Sequence, residues 1–387
     1  MSASSHISSW IRTLRLTNFR NYANLTLDLT PDPVVLVGSN GAGKTNLLEA
    51  VSLLAPGQGL RRAPYPELGR IDGAGDWAVS ADIETADGPV NIGTGLPYAG
   101  GSARGGRIVR INQETVSGSG ALADYLEMVW LTPAMDGLFT GPAGDRRRFL
   151  DRLILCFDPG YRARAGQFER AMRQRNRLLE MDHAAPAMFE GLELQMAETG
   201  VAMAATRNEA VQQICATIAE RRLTSPDSPF PWAELNLDGT VENWLHEMPA
   251  VDAEDAYIRQ LAADRPRDRA AKRTLSGPHR SDLLVGHGPK DMPAKVCSTG
   301  EQKALLINLV LAHAALAKQA HDGGAPILLL DEIAAHLDEI RRAALFAEIL
   351  NLGCQAWLTG TDQSAFGPLV GKATGFIMED AEIKEKF

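Results

Sequence analysis

The stretch PVVLVGSNGAGKTNLLEAV, Pro33 to Val51, decides the fold. Four consecutive apolar residues, Val34 to Val37, read as a strand buried on both faces. A glycine-rich turn follows, and then a helix pattern from Thr45 through Leu54. Gly38 to Thr45 fits G-x-x-x-x-G-K-[ST] without a mismatch, in the strand–loop–helix context that the motif requires. Backbone N–H groups of Gly38, Ser39, Asn40, Gly41, Ala42 and Gly43 are placed to wrap phosphate. Lys44 would reach the β and γ groups, and Thr45 would ligate Mg²⁺. The expected ligands are ATP and Mg²⁺, since no N-K-x-D guanine reader occurs in the chain.

The second half of such a site is Ile327-Leu-Leu-Leu-Asp331-Glu332, a buried strand delivering two carboxylates at its end. Asp331 is expected to hold the metal and Glu332 to polarise the attacking water. Lys44 and Asp331 stand 287 positions apart, and the sequence between them changes character twice. Period-two alternation in IRTLRL and NLTLDLT, and again from Asp76 to about Val116 around an Asp87-Gly88 turn, predicts a mixed sheet with an antiparallel side. From Asp145 to Arg222 the chain is Arg-rich and almost free of strand signals. Two helices are expected there, about Gly166–Met181 and Phe189–Arg222, packed as an antiparallel pair.

Leu194, Val201 and Cys215 form one heptad row, interrupted by Asn208 and weakened by Gly200; Ala197, Ala204, Val211 and Ile218 form the other. SPDSPFP (Ser225 to Pro231) breaks the region, and a further helical stretch leads to Lys272. The expected fold is therefore α/β, a P-loop ATPase head split around a helical insertion. Residues 1–144 carry the phosphate loop, 145–272 the insertion, and 273–387 the rest of the head.

A head divided in this way resembles the ABC-type ATPases of chromosome maintenance. Cys297-Ser-Thr-Gly-Glu-Gln-Lys303 leads small and hydroxyl residues into an apolar helix, an arrangement suited to anions. Ser298, Thr299, Gly300, Glu301, Gln302 and Lys303 resemble the ABC signature, which in that superfamily caps the γ-phosphate held by a second copy. Asp338 matches the D-loop aspartate, and Thr359 or Thr361 takes the place of the switch histidine. LTPAMD (Leu131 to Asp136) is the candidate Q-loop, although it contains no glutamine.

LRLTNFRNY, GSNGAGKTNLLEAVSLLAPGQGLR, GPAGDRRRFLDRL, SGPHRSDL, STGEQK and LLLDEIAAHLD follow one another in the order found in the RecF family of bacterial recombination-mediator ATPases. The chain resembles that family from residue 14 to about 338. His336 departs from its pattern, as does PAMD, where the family segment is more acidic. The resemblance implies a two-lobed head, ATP-dependent homodimerisation and slow hydrolysis. It also implies DNA binding at gaps and single-strand–double-strand junctions, with RecR as partner in the RecFOR pathway that assists RecA.

The formal net charge of -9 gives no global nucleic-acid signature, so DNA contact has to be local. Between Asp145 and Glu180 ten arginines face five acids. Arg162, Arg164, Arg170, Arg173, Arg175 and Arg177 are candidates for lining one side of the helical domain. Arg265, Arg267, Arg269, Lys272 and Arg273 form a second cluster. With no interleaved aromatics, duplex backbone contact is expected rather than base stacking. Arg61 and Arg62 are candidates for reaching phosphate or DNA, and His279 with Arg280 for orienting the insertion against the head. Four scattered cysteines without a C-x-x-C pair fit a reducing compartment. MSASSHISSW lacks the pattern of a signal peptide, and no segment is long enough to span a bilayer, so a cytoplasmic protein is expected. The alternatives are a transporter motor subunit, a long-armed SMC-type ATPase and a small-molecule P-loop kinase.

Overall fold

The computed structural model describes residues 9–98, 106–158, 160–181, 184–321 and 324–387, with the backbone alone of 335 and 336. Residues 99–105 of the glycine-rich tract YAGGSARGG, Tyr98 to Gly106, and most of MSASSHISSW lie outside the described residues, as does the side chain of His336. The chain divides into two compact units. One comprises Met1–Asp136, Ser225–Phe230 and Leu306–Phe387; the other comprises Gly137–Thr224 and Pro231–Leu305.

The first unit contains two six-stranded sheets. The antiparallel sheet runs Tyr22–Asp28, Trp10–Phe19, Trp77–Thr85, Gly88–Leu96, Ile108–Ile111, Glu114–Val116. Thr85 pairs with Gly88 across Ala86 and Asp87, and Gly88 takes φ 114°, so the hairpin turn falls one residue earlier than Asp87-Gly88. The second sheet runs Glu382–Lys386, Thr374–Glu379, Val34–Val37, Ala356–Gly360, Ile327–Leu330, Met128–Leu131, parallel except for its first pair. Val34–Val37, Ile327–Leu330 and Ala356–Gly360 are buried throughout, which explains why they carry continuous apolar runs rather than alternation.

Leu14, Leu16, Phe19 and Val79 of the antiparallel sheet share one core with Leu36, Leu329, Trp357 and Phe376 of the parallel sheet. Each such side chain contributes about 1.5–3 kcal/mol by leaving water. Gln355 joins the sheets through polar bonds. Its Oε1 accepts from Ile11 N at 3.0 Å, and its Nε2 donates to Ile11 O and Thr30 O at 2.9 Å each. A fully buried amide is thereby satisfied as though it were an extra piece of strand.

The second unit is built on helices Ala143–Ile154, Tyr161–Leu179, Ala187–Thr224, Thr240–Glu247 and Ala250–Ala271. Ala197, Ala204, Val211 and Ile218 are buried along the 38-residue helix. The other expected row is mixed: Val201 is buried, Leu194 is 48% exposed and Cys215 is half-buried. Gly200 has a packing reason. A methyl group there would stand 3.1 Å from the rings of both Phe168 and Tyr257.

Composition places the insertion at 145–272, whereas contacts extend the second unit from Gly137 to Leu305. A three-stranded sheet, Met292–Pro293, Asp282–His287, Ala233–Asp238, accounts for the difference. Ala233–Asp238 lies upstream of Lys272 and pairs antiparallel with Asp282–His287 downstream, so residues beyond 272 are hydrogen-bonded into the unit. Ala233–Asp238 lies inside the region read as helical, although its Ala233, Leu235 and Leu237 alternate as a strand does. Among the described residues no helix is long and apolar enough to cross a membrane.

Candidate functional site

Val34–Val37 ends in the phosphate loop, and the loop can bend only because of its glycines. Gly41 and Gly43 have φ of 89° and 104°. A Cβ on Gly38 would stand 2.3 Å from Met378 O, and one on Gly43 2.5 Å from the Tyr22 hydroxyl. Tyr22 donates that hydroxyl to Gly43 O at 2.9 Å, which fixes the loop from the antiparallel sheet. The following helix, Lys44–Ser52, has no side-chain cap and no acid in its first turn. Its free N–H groups and dipole make an anion site. Lys44 folds back over the loop, donating to Gly38 O at 2.6 Å and Ser39 O at 2.9 Å. Burial pulls its pKa below the usual range, opposed by the carboxylates of Glu332 and Asp331.

Thr45 donates its hydroxyl to Asp331 Oδ1 at 3.0 Å, although the two are 286 positions apart. Asp331 N donates to Leu131 O at 2.9 Å, so LTPAMD leaves its strand level with the Asp331 backbone. Burial pushes the Asp331 pKa up, and hydrogen bonds from Thr359 and Thr45 oppose the shift. Glu332 sits at φ 51°, ψ 28°, a left-handed conformation that costs a non-glycine residue about 1–3 kcal/mol. Asn40, Gly41, Gly43, Lys44, Thr45, Asn46, Arg61 and Glu332 line a cleft of about 140 Å³. The Thr45 hydroxyl at this cleft and the Asp331 carboxylate bonded to it are hard oxygen donors. They fit a Mg²⁺ ion that takes one or two protein ligands and completes its shell with phosphate and water.

Arg61 thus lines this cleft, where it donates to Asn46 Oδ1 at 2.7 Å and Glu49 Oε2 at 3.3 Å. Arg62 is exposed at φ 56°. Thr359 is fully buried against Asp331 and Glu332, whereas Thr361 is exposed, so only the former belongs to this cluster. Asp338 caps helix Glu339–Leu352, accepting from Arg341 N at 2.8 Å.

Ser298 to Lys303 lies in the second unit. Ser298, Thr299 and Gly300 are exposed, while Gln302 and Lys303 are buried at 5% and 6% exposure, so the motif's accessible part is its first half. Ser298 donates its N–H at 3.0 Å and its hydroxyl at 2.9 Å to Glu301 Oε2, and Lys290 pairs with the same carboxylate. This is a capping box. The hydrogen bond from Lys290, followed by those from Ser298, holds the Glu301 pKa down at about 2.

The arginines separate by helix face. Arg170, Arg173 and Arg177 are exposed at helical spacing on Tyr161–Leu179, and Arg267 and Arg273 are exposed on the second cluster. Arg173 pairs with Glu169 at 3.3 Å and Arg267 with Asp264 at 3.9 Å. Arg162 is half-buried, and Arg164 turns to Asp158 and Thr206. Arg175 does not line the surface. It is 0% exposed, between Glu193, Asp268 and Thr274, and Arg265 also turns inward to Glu193. The signal was present in the sequence: Phe168, Ala171, Arg175 and Leu179 share one helical stripe, so Arg175 occupies an apolar phase.

GPAGDRRRFLDRL and SGPHRSDL meet within the second unit. Arg146 forms a bidentate pair with Asp282 at 2.8 Å on both arms, and Arg147 donates to Ser281 O. His279 and Pro278 lie in the same packed region, with Arg207 donating to Pro278 O at 2.6 Å. A larger cavity of about 610 Å³, bounded by Phe139, Arg146, Asn236, Leu284 and Met292, also belongs to this unit and contains no phosphate loop.

The RecF/RecN/SMC N terminal domain model matches residues 10–367. A protein from Mesorhizobium japonicum described as "DNA replication and repair protein RecF" is 57% identical over 374 residues, covering 96% of each chain. A protein of the same description from Rhizobium johnstonii is 52% identical, over 96% of this chain and 98% of its own. The solved structure of the recombination mediator protein RecF with ATP, in the RecFOR pathway, superposes with a TM-score of 0.83 at 22% identity, covering 98% and 99%. A Pyrococcus furiosus Smc head domain superposes at 0.54 with 15% identity, covering 98% of this chain and 96% of that one. These two likenesses show the fold.

Proposed function

The chain belongs to the RecF family of DNA replication and repair proteins, and from that premise we propose that it is an ATP-gated DNA clamp. The observation carrying this reading is that Lys44, Thr45 and Glu332 line one cleft from opposite ends of the sequence, with Asp331 hydrogen-bonded to Thr45 behind it. Gly38 to Thr45 cradle the triphosphate, with Lys44 leaving its carbonyl partners for the β and γ groups. Thr45 and Asp331 would hold Mg²⁺, which supplies charge neutralisation at the phosphates when bound. Glu332 accepts a proton from the attacking water as the β–γ bridging bond breaks, giving ADP and phosphate.

Ser298, Thr299 and Gly300 cap the γ-phosphate of a second copy, so that ATP joins two heads, and Asp338 lies along the same junction. Slow, DNA-stimulated hydrolysis separates them. Arg170, Arg173, Arg177, Arg267 and Arg273 contact the backbone of duplex beside a gap or junction. RecR and the RecFOR pathway leading to RecA are the partners proposed by family membership, in the cytoplasm. The family assignment displaces the transporter-motor alternative.

Sizing the protein with and without ATP and gapped DNA tests this reading. Glu332→Gln should bind ATP and accumulate as a dimer. Lys44→Ala should not bind nucleotide, and Ser298→Arg should bind it and remain a monomer. A Glu332→Gln protein that stays monomeric in saturating ATP, or a Ser298→Arg protein that dimerises normally, refutes the shared site.

A further inference from the structure

Thr359 uses its one hydroxyl twice. Its strand, Ala356–Gly360, lies between Val34–Val37, which delivers the phosphate loop, and Ile327–Leu330, which delivers Asp331 and Glu332. Oγ1 donates to Asp331 Oδ1 at 2.8 Å and accepts from Glu332 N at 2.7 Å. The hydroxyl proton is therefore committed to Asp331, and the side chain is 0% exposed. A phosphate sensor needs a donor aimed at the nucleotide. The position matching the switch histidine has none to offer here.

The second bond explains the backbone of Glu332. At φ 51° this residue has turned out of its strand, so its N–H leaves the ladder and needs an acceptor at the strand's end. Thr359 is that acceptor. The turn also determines where the Glu332 side chain goes, which is to the wall of the nucleotide cleft.

The geometry points to Thr359 as a positioning residue that holds Glu332 in its left-handed turn and orients Asp331 through the same oxygen. This rests on the proposed ATPase site and deepens it. Valine keeps the shape of threonine and loses both bonds, while serine keeps both.

Thr359→Val is expected to lower kcat for ATP hydrolysis by about 10–100-fold, the usual scale for losing an orienting partner. Affinities for both ATP and ADP should stay within about threefold, because the phosphate cradle is untouched. Thr359→Ser should recover to within about threefold of the parent rate, a rescue that separates lost orientation from lost folding. In the double variant with Glu332→Gln, the valine should cost less than its full single-variant factor, since one of the two acids it positions is already disabled.

Selective loss of ATP over ADP affinity in Thr359→Val would overturn the proposal in favour of phosphate sensing. So would a serine variant as slow as the valine one, or full multiplicative slowing in the double variant. If Glu332→Gln alone hydrolyses at the parent rate, the underlying site assignment fails as well. If Glu332→Gln is slow and Thr359→Val is not, only the positioning role fails.

Discussion

Arg175→Met tests whether the arginine-rich helices carry an internal and an external set. Arg175 donates to Glu193 Oε1 at 3.0 Å, Asp268 Oδ2 at 2.7 Å, Thr274 Oγ1 at 2.8 Å and Leu261 O at 2.7 Å. Methionine fills a similar length and leaves both carboxylates behind. Glu193 keeps Arg265, and Asp268 keeps the Leu275 N–H, at 3.0 Å, beyond its lost cation. Breaking a buried pair costs about 3–5 kcal/mol, and the partners that remain place this case near 3 kcal/mol. With a urea dependence of about 1–3 kcal/mol per molar, the midpoint for the full chain should fall by about 1–3 M. Adding Asp268→Asn should restore part of the loss, because it removes the stranded charge.

DNA binding measured against salt completes the test. Arg175→Met should leave the slope of log K on log salt unchanged. Combined Arg170→Gln, Arg173→Gln and Arg177→Gln should flatten it by roughly 2–3, near 0.9 per phosphate contact, with little change in stability. A stable Arg175→Met protein, within about 1 kcal/mol of the parent and with a flattened slope, refutes the division.

Glu301→Gln removes a negative charge beside the Ser298 hydroxyl while keeping the capping geometry, so half-maximal dimerisation should need roughly two- to fivefold less ATP by sizing. Gly200→Ala gains about 1 kcal/mol of helix propensity but crowds Phe168 and Tyr257, an overpacking cost of about 1–3 kcal/mol, so thermal unfolding should show a net loss of about 1 kcal/mol. The His279 pKa is pushed down to about 4, chiefly by burial and further by Arg280, Arg147 and Arg207. The unfolded ring titrates near 6.5, so stability is complete above that pH and declines as pH falls toward 4, by at most about 1.4 kcal/mol per unit. His279→Gln should flatten this dependence in urea titrations at pH 7.5 and 5.

The two halves of the proposed nucleotide site were legible because phosphate chemistry depends on residue type at short spacing. Glycines at 41 and 43 take positive φ, and apolar runs before Gly38 and Asp331 become strands buried on both faces. The helix pair was legible for a similar reason, since Ala197, Ala204, Val211 and Ile218 repeat along one helix. Ala233–Asp238 was lost among helical neighbours, because six residues of alternation weigh little until a partner strand pairs with them.

By itself, then, the sequence determined that a glycine loop of the phosphate-binding pattern and an acidic strand end exist, and which family the chain resembles. It could not determine the direction of a charged side chain, because charge alone does not say whether a partner waits inside. Arg175 and Arg177 are alike in composition, yet one is buried against Glu193 and Asp268 and the other is exposed. Nor could it choose between Thr359 and Thr361. Only the order of strands, with Ala356–Gly360 between the two that deliver the loop and the acids, put one hydroxyl within 3 Å of both Asp331 and the Glu332 backbone.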